Sequence, residues 1–138
     1  MKRASRVVVL PALLMVLGLV AGPAMADTID EQLAAYQAEG AVEFSAERGK
    51  ELWFQESASP EDGKMRSCTS CHTNNVRVNG KHAKTGKPIK PMAPSINPER
   101  YTDAAKIEKW FKRNCKWTID RECTAQEKGD FLSYLRQL

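Results

Sequence analysis

Two cysteines followed directly by a histidine, in the pattern Cys68-x-x-Cys71-His72, constrain this chain more than any other feature of its sequence. Two thiols three positions apart on a helical turn can reach both vinyl groups of one porphyrin, and the next residue then presents an imidazole to the iron. A redox dithiol usually lies near a βαβ pattern, which is missing here, and a zinc site would need two more ligands. We therefore predict one covalently attached haem c with His72 as an axial ligand.

The first 26 residues have the pattern of a secretory signal peptide. Three basic residues within 1–6 precede an apolar run over 7–20, and Ala24-Met25-Ala26 matches a small-x-small cleavage site. The run is shorter than the roughly 20 apolar residues that cross a bilayer. We expect cleavage after Ala26 and a periplasmic protein, with an uncleaved anchor as the alternative.

Residues 27–138 have the size of one small domain, which is predicted to be the monohaem unit. Removal of three basic residues with the signal lowers the formal net charge from +4 to +1. The stretch from Gly63 to Pro98, however, contains seven cations and no acidic residue. It is either a solvated loop or a basic face that attracts an acidic partner. We expect no nucleic-acid partner for an exported haem domain.

Sequence periodicity predicts four helices besides the haem-attachment turn, and no convincing strand. The expected N-terminal caps are Thr28, Ser45, Thr102 and Thr124. Capping boxes, with glutamate three residues after the cap, mark the first and last of these helices. Residues 73–98 contain four prolines and are predicted to form an extended loop.

The second axial ligand is the main question that the haem motif leaves open. Methionine is the usual choice in a simple electron carrier, and only Met65 and Met92 follow the signal sequence. Met65 lies beside the motif and cannot easily reach the opposite face of the haem. Met92, within the proline-rich loop, is therefore one candidate.

Asn114 is the other candidate. It follows Ile107, Trp110 and Phe111 at helical spacing, which predicts that its amide lies on an apolar face. A polar amide buried without a partner costs about 1–3 kcal/mol, and iron would be such a partner. The alternative is that Asn114 only ends the helix, a role that asparagine favours.

Cys115 and Cys123 form a second pair with a different spacing. An oxidising compartment permits a disulfide, which would contribute roughly 2–3 kcal/mol and fix the backbone beside Asn114. A pair of free buried thiols is the alternative. No second Cys-x-x-Cys-His pattern occurs, so we expect a single haem.

Several motifs resemble those of small oxygen-binding cytochromes c, the sphaeroides haem protein (SHP) family. Beside the haem motif, they are Ala93-Pro94-Ser95, Lys109-Trp110, Arg113-Asn114-Cys115 and Arg121-Glu122-Cys123-Thr124. The resemblance spans nearly all of residues 27–138. It implies an all-α, class I-like cytochrome c fold and a Cys115–Cys123 disulfide. It also implies that Asn114 is the sixth ligand of the oxidised haem, opposite His72.

The resemblance further implies that this ligand leaves on reduction, so that O2, NO or CO can bind. The electron donor would be a partner cytochrome, such as a dihaem c-type or a membrane b-type cytochrome. Met92 departs from the family pattern, in which leucine can occupy its position, so its thioether either competes for the iron or packs.

Three functions from different classes follow from these residues. The first is a gas-binding haem protein, which we expect to be a monomer. The second is a simple electron shuttle with Met92 as ligand. The third is an enzyme of the nitric oxide dioxygenase type, which converts nitric oxide and oxygen to nitrate.

Overall fold

The computed structural model describes residues 27–138, so the predicted signal peptide lies outside the described residues. Five helices and two short antiparallel hairpins make up this domain. The helices are α1 Thr28–Ala38, α2 Ala46–Phe54, α3 Thr69–His72, α4 Ala104–Ile119 and α5 Ala125–Leu135. The hairpins pair β1 (Ser57–Ala58) with β2 (Met65–Arg66) and β3 (Gly80–Lys81) with β4 (Pro88–Ile89). None of the helices described is long and apolar enough to cross a membrane.

Two of the four predicted N-terminal caps are confirmed. The Ser45 hydroxyl accepts from the Arg48 N–H at 3.2 Å at the start of α2. The Thr124 hydroxyl accepts from the Glu127 N–H, and the Glu127 carboxylate accepts from the Thr124 N–H, so α5 begins with the expected capping box. These reciprocal bonds satisfy N–H groups that the first helical turn leaves without partners.

The other two caps are wrong by one residue. Asp27, rather than Thr28, caps α1 by accepting from the Asp30 N–H at 2.9 Å. Asp103, rather than Thr102, caps α4, where the Thr102 hydroxyl instead donates to the Glu99 carbonyl at 3.0 Å. Aspartate is as good a cap as threonine, so a neighbouring pair of acceptors leaves the boundary uncertain by one position.

The crossing of α2 and α5 is the tightest helix contact in the domain. A Cβ atom on Gly49 would lie 1.9 Å from the Asp130 carbonyl oxygen, so only glycine permits this approach. The buried Asp130 carboxylate accepts from the Ser45 N–H at 2.7 Å and from the Arg48 guanidinium at 2.9 Å. Backbone packing and an ion pair to a buried carboxylate therefore fix the two helices together.

Two apolar clusters form the core, and α5 contributes to both. The larger contains buried Trp53, Val76, Ala93, Cys115, Cys123, Phe131 and Leu135. The smaller contains Ile29, Tyr36, Ile107 and Leu132, and brings α1 against α4 and α5. The helix-dominated architecture agrees with the predicted all-α class. The two hairpins were not predicted, because strands of two residues are too short to show alternation.

Candidate haem-binding site

The haem-attachment motif lies on a single helical turn. Cys68 precedes α3, and its carbonyl accepts from the N–H groups of Cys71 at 3.3 Å and His72 at 3.1 Å. The Ser67 N–H donates to the Ser70 hydroxyl at 3.0 Å, which braces the start of the turn. Cys68 and Cys71 are half-buried and not bonded to each other. Two thiols and an imidazole are thus presented from one short, rigid segment.

Gly80 in β3 lies directly against this turn. A Cβ atom at this position would lie 2.2 Å from the Cys71 carbonyl oxygen and 3.0 Å from the His72 Cα. Because both atoms belong to the backbone, no side-chain movement could relieve the overlap. Sequence reasoning missed this residue, for which an isolated glycine in a proline-rich loop was the only signal.

Burial and charge hold His72 and Cys68 in their neutral forms. Burial, together with the charge of Arg100, lowers the pKa of His72 to about 4. A neutral imidazole is the form that binds a metal. Burial also raises the pKa of Cys68 to about 12, whereas redox-active thiols have lowered pKa values. The donor set therefore fits a haem better than a redox dithiol.

Trp53 of α2 packs against the motif histidine. The two ring centroids are 5.4 Å apart with an interplanar angle of 40°. Within residues 27–138, the Trp53 indole N–H is buried without a hydrogen-bond partner. Such a group incurs a desolvation cost that a polar group of a cofactor would relieve. This orphaned donor beside His72 fits a haem bound at the turn.

The predicted apolar face of α4 divides into two neighbouring stripes. Ile107 and Cys115 are buried in the core, whereas Trp110 is 48% exposed and Asn114 is also exposed. Trp110, Asn114 and Trp117 follow each other at helical spacing and form the second stripe. Asn114 therefore lies on the stripe of Trp110 and Trp117 and not on the stripe that packs in the protein core, and its role as an iron ligand stays a prediction.

The alternative role of Asn114 as a helix end is wrong. α4 continues from Asn114 to Ile119 and ends at Asp120, whose backbone is left-handed with φ +55°. Lys116 stabilises this end, since its ammonium group donates to the Asp120 carbonyl at 2.9 Å. Asn114 is thus a residue of the helix interior, on a regular backbone.

The predicted disulfide between Cys115 and Cys123 is confirmed. Both cysteines are buried in the larger core cluster, and the bond joins α4 to the segment that precedes α5. The backbone immediately after Asn114 is therefore fixed to the core by a covalent bond.

Hydrogen bonds hold the Met92 backbone close to the segment that follows His72. The N–H groups of Met92 and Ala93 both donate to the Val76 carbonyl, at 2.8 and 3.2 Å. The Tyr101 hydroxyl donates to the Met92 carbonyl at 3.1 Å. The partly buried Met92 side chain packs against the larger core cluster.

Comparisons with known proteins agree with this arrangement. Residues 39–135 match a family model described as a domain of unknown function, DUF1924. The chain is 45% identical over 119 residues to cytochrome c-type protein SHP of Cereibacter sphaeroides. This alignment covers 83% of this chain and 89% of that protein. The chain belongs to the SHP family. Cytochrome c'' of Methylophilus methylotrophus is 39% identical over 84 residues, or 61% of this chain and 58% of that protein.

Solved structures of both relatives are similar to this chain in fold. Oxidised SHP, an oxygen-binding cytochrome c, matches with a TM-score of 0.72 and 40% identity, over 82% of this chain and all of that one. Oxidised cytochrome c'' matches with a TM-score of 0.69 and 32% identity, over 79% of this chain and 93% of that one.

Membership of the SHP family confirms two predictions from the sequence. The fold is an all-α, class I-like cytochrome c fold, and the cofactor is covalently bound haem c. In this SHP-type chain, Cys68, Cys71 and His72 are the residues that can hold the haem, because α3 presents all three on one turn.

Proposed function

We propose that this chain is a periplasmic monohaem cytochrome c whose sixth iron ligand is released on reduction. Thioether bonds from Cys68 and Cys71 hold the haem, His72 is the constant axial ligand, and Asn114 is the ligand that leaves. The observation that carries the proposal is the position of Asn114. It lies directly before a disulfide cysteine on α4, in a chain of the SHP family.

The chemistry of a carboxamide supports a ligand that depends on redox state. When bound, the haem supplies a one-electron couple and, in its ferrous form, an iron position open to O2, NO or CO. The Asn114 carbonyl oxygen is a neutral, hard donor that prefers ferric to ferrous iron. Its affinity for the iron would therefore differ between the two oxidation states, with release favoured in the ferrous state.

The surroundings of Asn114 favour movement of its side chain rather than of the helix. The Cys115–Cys123 bond and the burial of both cysteines hold the backbone of α4 in place. Trp110 lies one turn earlier on the same stripe and offers an exposed aromatic surface. The Arg113 guanidinium lies 5.3 Å from the centroid of that ring. We infer that Trp110 forms an apolar wall beside the position that Asn114 vacates.

The contacts of Met92 favour packing over iron ligation. Its N–H donates to the carbonyl of Val76, only four residues after His72, and Tyr101 holds its own carbonyl. We infer that these bonds hold Met92 beside the segment that follows His72, where its side chain would pack in the core rather than bind the iron. A simple electron shuttle with Met92 as ligand is therefore the less favoured function.

What is known of the relatives also favours gas binding over simple electron transfer. SHP is described as an oxygen-binding cytochrome c, and a solution structure of cytochrome c'' was used to examine haem-ligand detachment. For this chain we infer binding of O2, NO or CO to the reduced form. A partner cytochrome, of the dihaem c-type or the membrane b-type, would supply the electron.

Export and cleavage after Ala26 complete the proposal. Asp27, the first residue that would remain, is the cap of α1, so cleavage there leaves every described helix intact. N-terminal sequencing of the protein from a periplasmic fraction should begin at Asp27. Recovery of the intact N-terminus from membranes would support an uncleaved anchor instead.

Visible spectroscopy of Asn114→Ala and Met92→Leu variants tests the axial ligand. We expect the asparagine variant to change the ferric spectrum, because water enters the sixth position, and the methionine variant to retain the wild-type spectrum. Reduced wild-type protein should bind carbon monoxide rapidly and completely. Loss of a methionine–ferric charge-transfer band in the Met92→Leu variant, with an unchanged Asn114→Ala spectrum, would refute the proposal.

A further inference from the structure

A basic hairpin lies beside the haem-attachment turn. β3 and β4 form this hairpin within the stretch from Gly63 to Pro98, which has seven cations and no acidic residue. Five of those cations are exposed and lie on or next to the hairpin. These residues, here named the hairpin cations, are Arg77, Lys81, Lys84, Lys87 and Lys90.

The turn of the hairpin is ordered by its own side chains. The His82 Nδ1 accepts from the N–H groups of Lys84 at 3.3 Å and Thr85 at 3.2 Å. The backbone N–H of His82 donates to the Lys87 carbonyl at 2.8 Å. Gly86 provides the positive φ of +69° that the turn requires. The lysines therefore extend from a defined backbone, which reduces the entropy lost when a partner binds.

Existing ion pairs leave the hairpin cations available to a partner. Lys84 pairs with Glu61 and Lys90 with Glu99, each at 3.6 Å, between exposed side chains. Exposed pairs of this kind are worth about 0–1 kcal/mol, so carboxylates of another protein can replace them. Arg77, Lys81 and Lys87 form no ion pair within the described part of the chain.

The charge of the domain is strongly asymmetric. Residues 27–138 carry +1 in total and the stretch from Gly63 to Pro98 carries +7, so the remainder carries −6. An acidic protein is therefore attracted to the hairpin and repelled by the other surfaces, which orients its approach. Val78, which is 47% exposed, adds an apolar contact next to Arg77.

We propose that the hairpin cations are the docking surface for an acidic protein that donates single electrons to the haem. The close contact between Gly80 and the Cys71 carbonyl places the base of the hairpin on the haem-attachment turn. A protein docked there would lie next to the turn whose residues would hold the haem. The proposal rests on the proposed function only in requiring a haem that accepts electrons, and not on the identity of the sixth ligand.

Stopped-flow reduction of the haem-loaded mature protein by reduced flavodoxin, a small acidic one-electron donor, tests this proposal. The K81E/K84E/K87E variant reverses three hairpin charges, and K50E/K106E/K112E is a control with the same change in net charge outside the hairpin. At low salt we expect the bimolecular rate constant to fall at least about tenfold in the hairpin variant and less than about threefold in the control. The wild-type rate should decrease steeply as salt is added.

A neutral hydroquinone should reduce all three proteins at the same rate, which shows that the haem site is intact. The proposal would be overturned if reduction by flavodoxin slowed equally in both variants, or if the wild-type rate of reduction did not depend on salt. So would sedimentation data in which the hairpin charges control self-association while the flavodoxin rate is unchanged. Failure of the proposed function would instead appear in the ferric spectrum of Asn114→Ala, which these rates do not measure.

Discussion

The guanidinium of Arg66 lies 4.6 Å from the ring centroid of Trp117 and donates to the carbonyl of the same residue at 3.4 Å. Arg66 is buried in β2, two residues before Cys68, and Trp117 lies on α4, three residues after Asn114. An ion pair with Asp62 at 3.0 Å holds the guanidinium in place. One cation thus joins the segment before the haem-attachment turn to the helix that carries the proposed sixth ligand.

Arg66→Lys tests this connection, because lysine retains the charge but loses the planar stacking group. We expect a loss of about 1–2 kcal/mol in the free energy of unfolding, the size of a desolvated cation–π contact. Guanidinium chloride unfolding of the ferric protein would measure it. Lys64→Ala is a suitable control, since Lys64 is exposed and its contact with Asp62 is long at 3.7 Å. Equal losses in both variants would show that the stacking has no special role.

Gly80→Ala should disrupt the haem-attachment turn, because the added Cβ would lie 2.2 Å from the Cys71 carbonyl oxygen. Overpacking against backbone should cost about 3 kcal/mol or more and lower the yield of protein with covalently attached haem. Haem staining of denatured protein and chemical unfolding would measure the two effects.

Gly63→Ala is the matched control for this change. Gly63 also lies in a loop, and nothing would lie within 4 Å of the added Cβ, although its φ is +68°. The conformational cost of alanine there is about 1–2 kcal/mol, without loss of haem attachment. If Gly80→Ala were as mild as Gly63→Ala, the close contact with the turn would not be essential.

Replacing Cys115 and Cys123 together by alanine should lower the free energy of unfolding by roughly 2–3 kcal/mol. The disulfide also holds the backbone next to Asn114, so we expect the double variant to shift the ferric spectrum towards that of Asn114→Ala. Chemical unfolding and visible spectra of the same samples would report both effects. Lower stability with an unchanged ferric spectrum would show that the disulfide does not position Asn114.

Glu127→Gln should make stability less dependent on pH. A hydrogen bond from Arg121 is the main cause that lowers the pKa of Glu127, and the Thr124 N–H contributes to the shift. Because the folded-state pKa is lower than the unfolded value near 4.5, the carboxylate stabilises the protein above that pH. This contribution is lost as the pH falls through the lowered folded-state value.

The loss from Glu127→Gln should therefore be about 1 kcal/mol at pH 7, the upper end for an accessible ion pair, and much smaller at pH 3. Thermal unfolding at both values would measure it. Arg121→Gln should remove much of the same pH-dependent contribution to the free energy of unfolding, since Arg121 and Glu127 form one ion pair at 2.6 Å. A loss of equal size at both pH values would contradict the assigned role of the charge.

Local patterns in the sequence sufficed for the features that depend on residues close in the chain. The three residues predicted to bind the haem fall within five positions, and the disulfide cysteines are eight apart. Helix caps depend on bonds over three residues, so the two errors, at Thr28 and Thr102, were shifts of a single position. Family motifs then indicated the class I-like fold and the haem c cofactor.

The tertiary structure alone decided which distant residues meet. Neither the overlap that Gly80 avoids nor the contact between Trp53 and His72 leaves a periodic signal, because each depends on how separate segments pack. Periodicity gave Asn114 a place on a stripe, but only the tertiary structure showed that the protein core packs against the side of α4 that carries Ile107 and Cys115 and not against Asn114. Spacing along a helix defines its faces, whereas the arrangement of the other elements determines which face is buried.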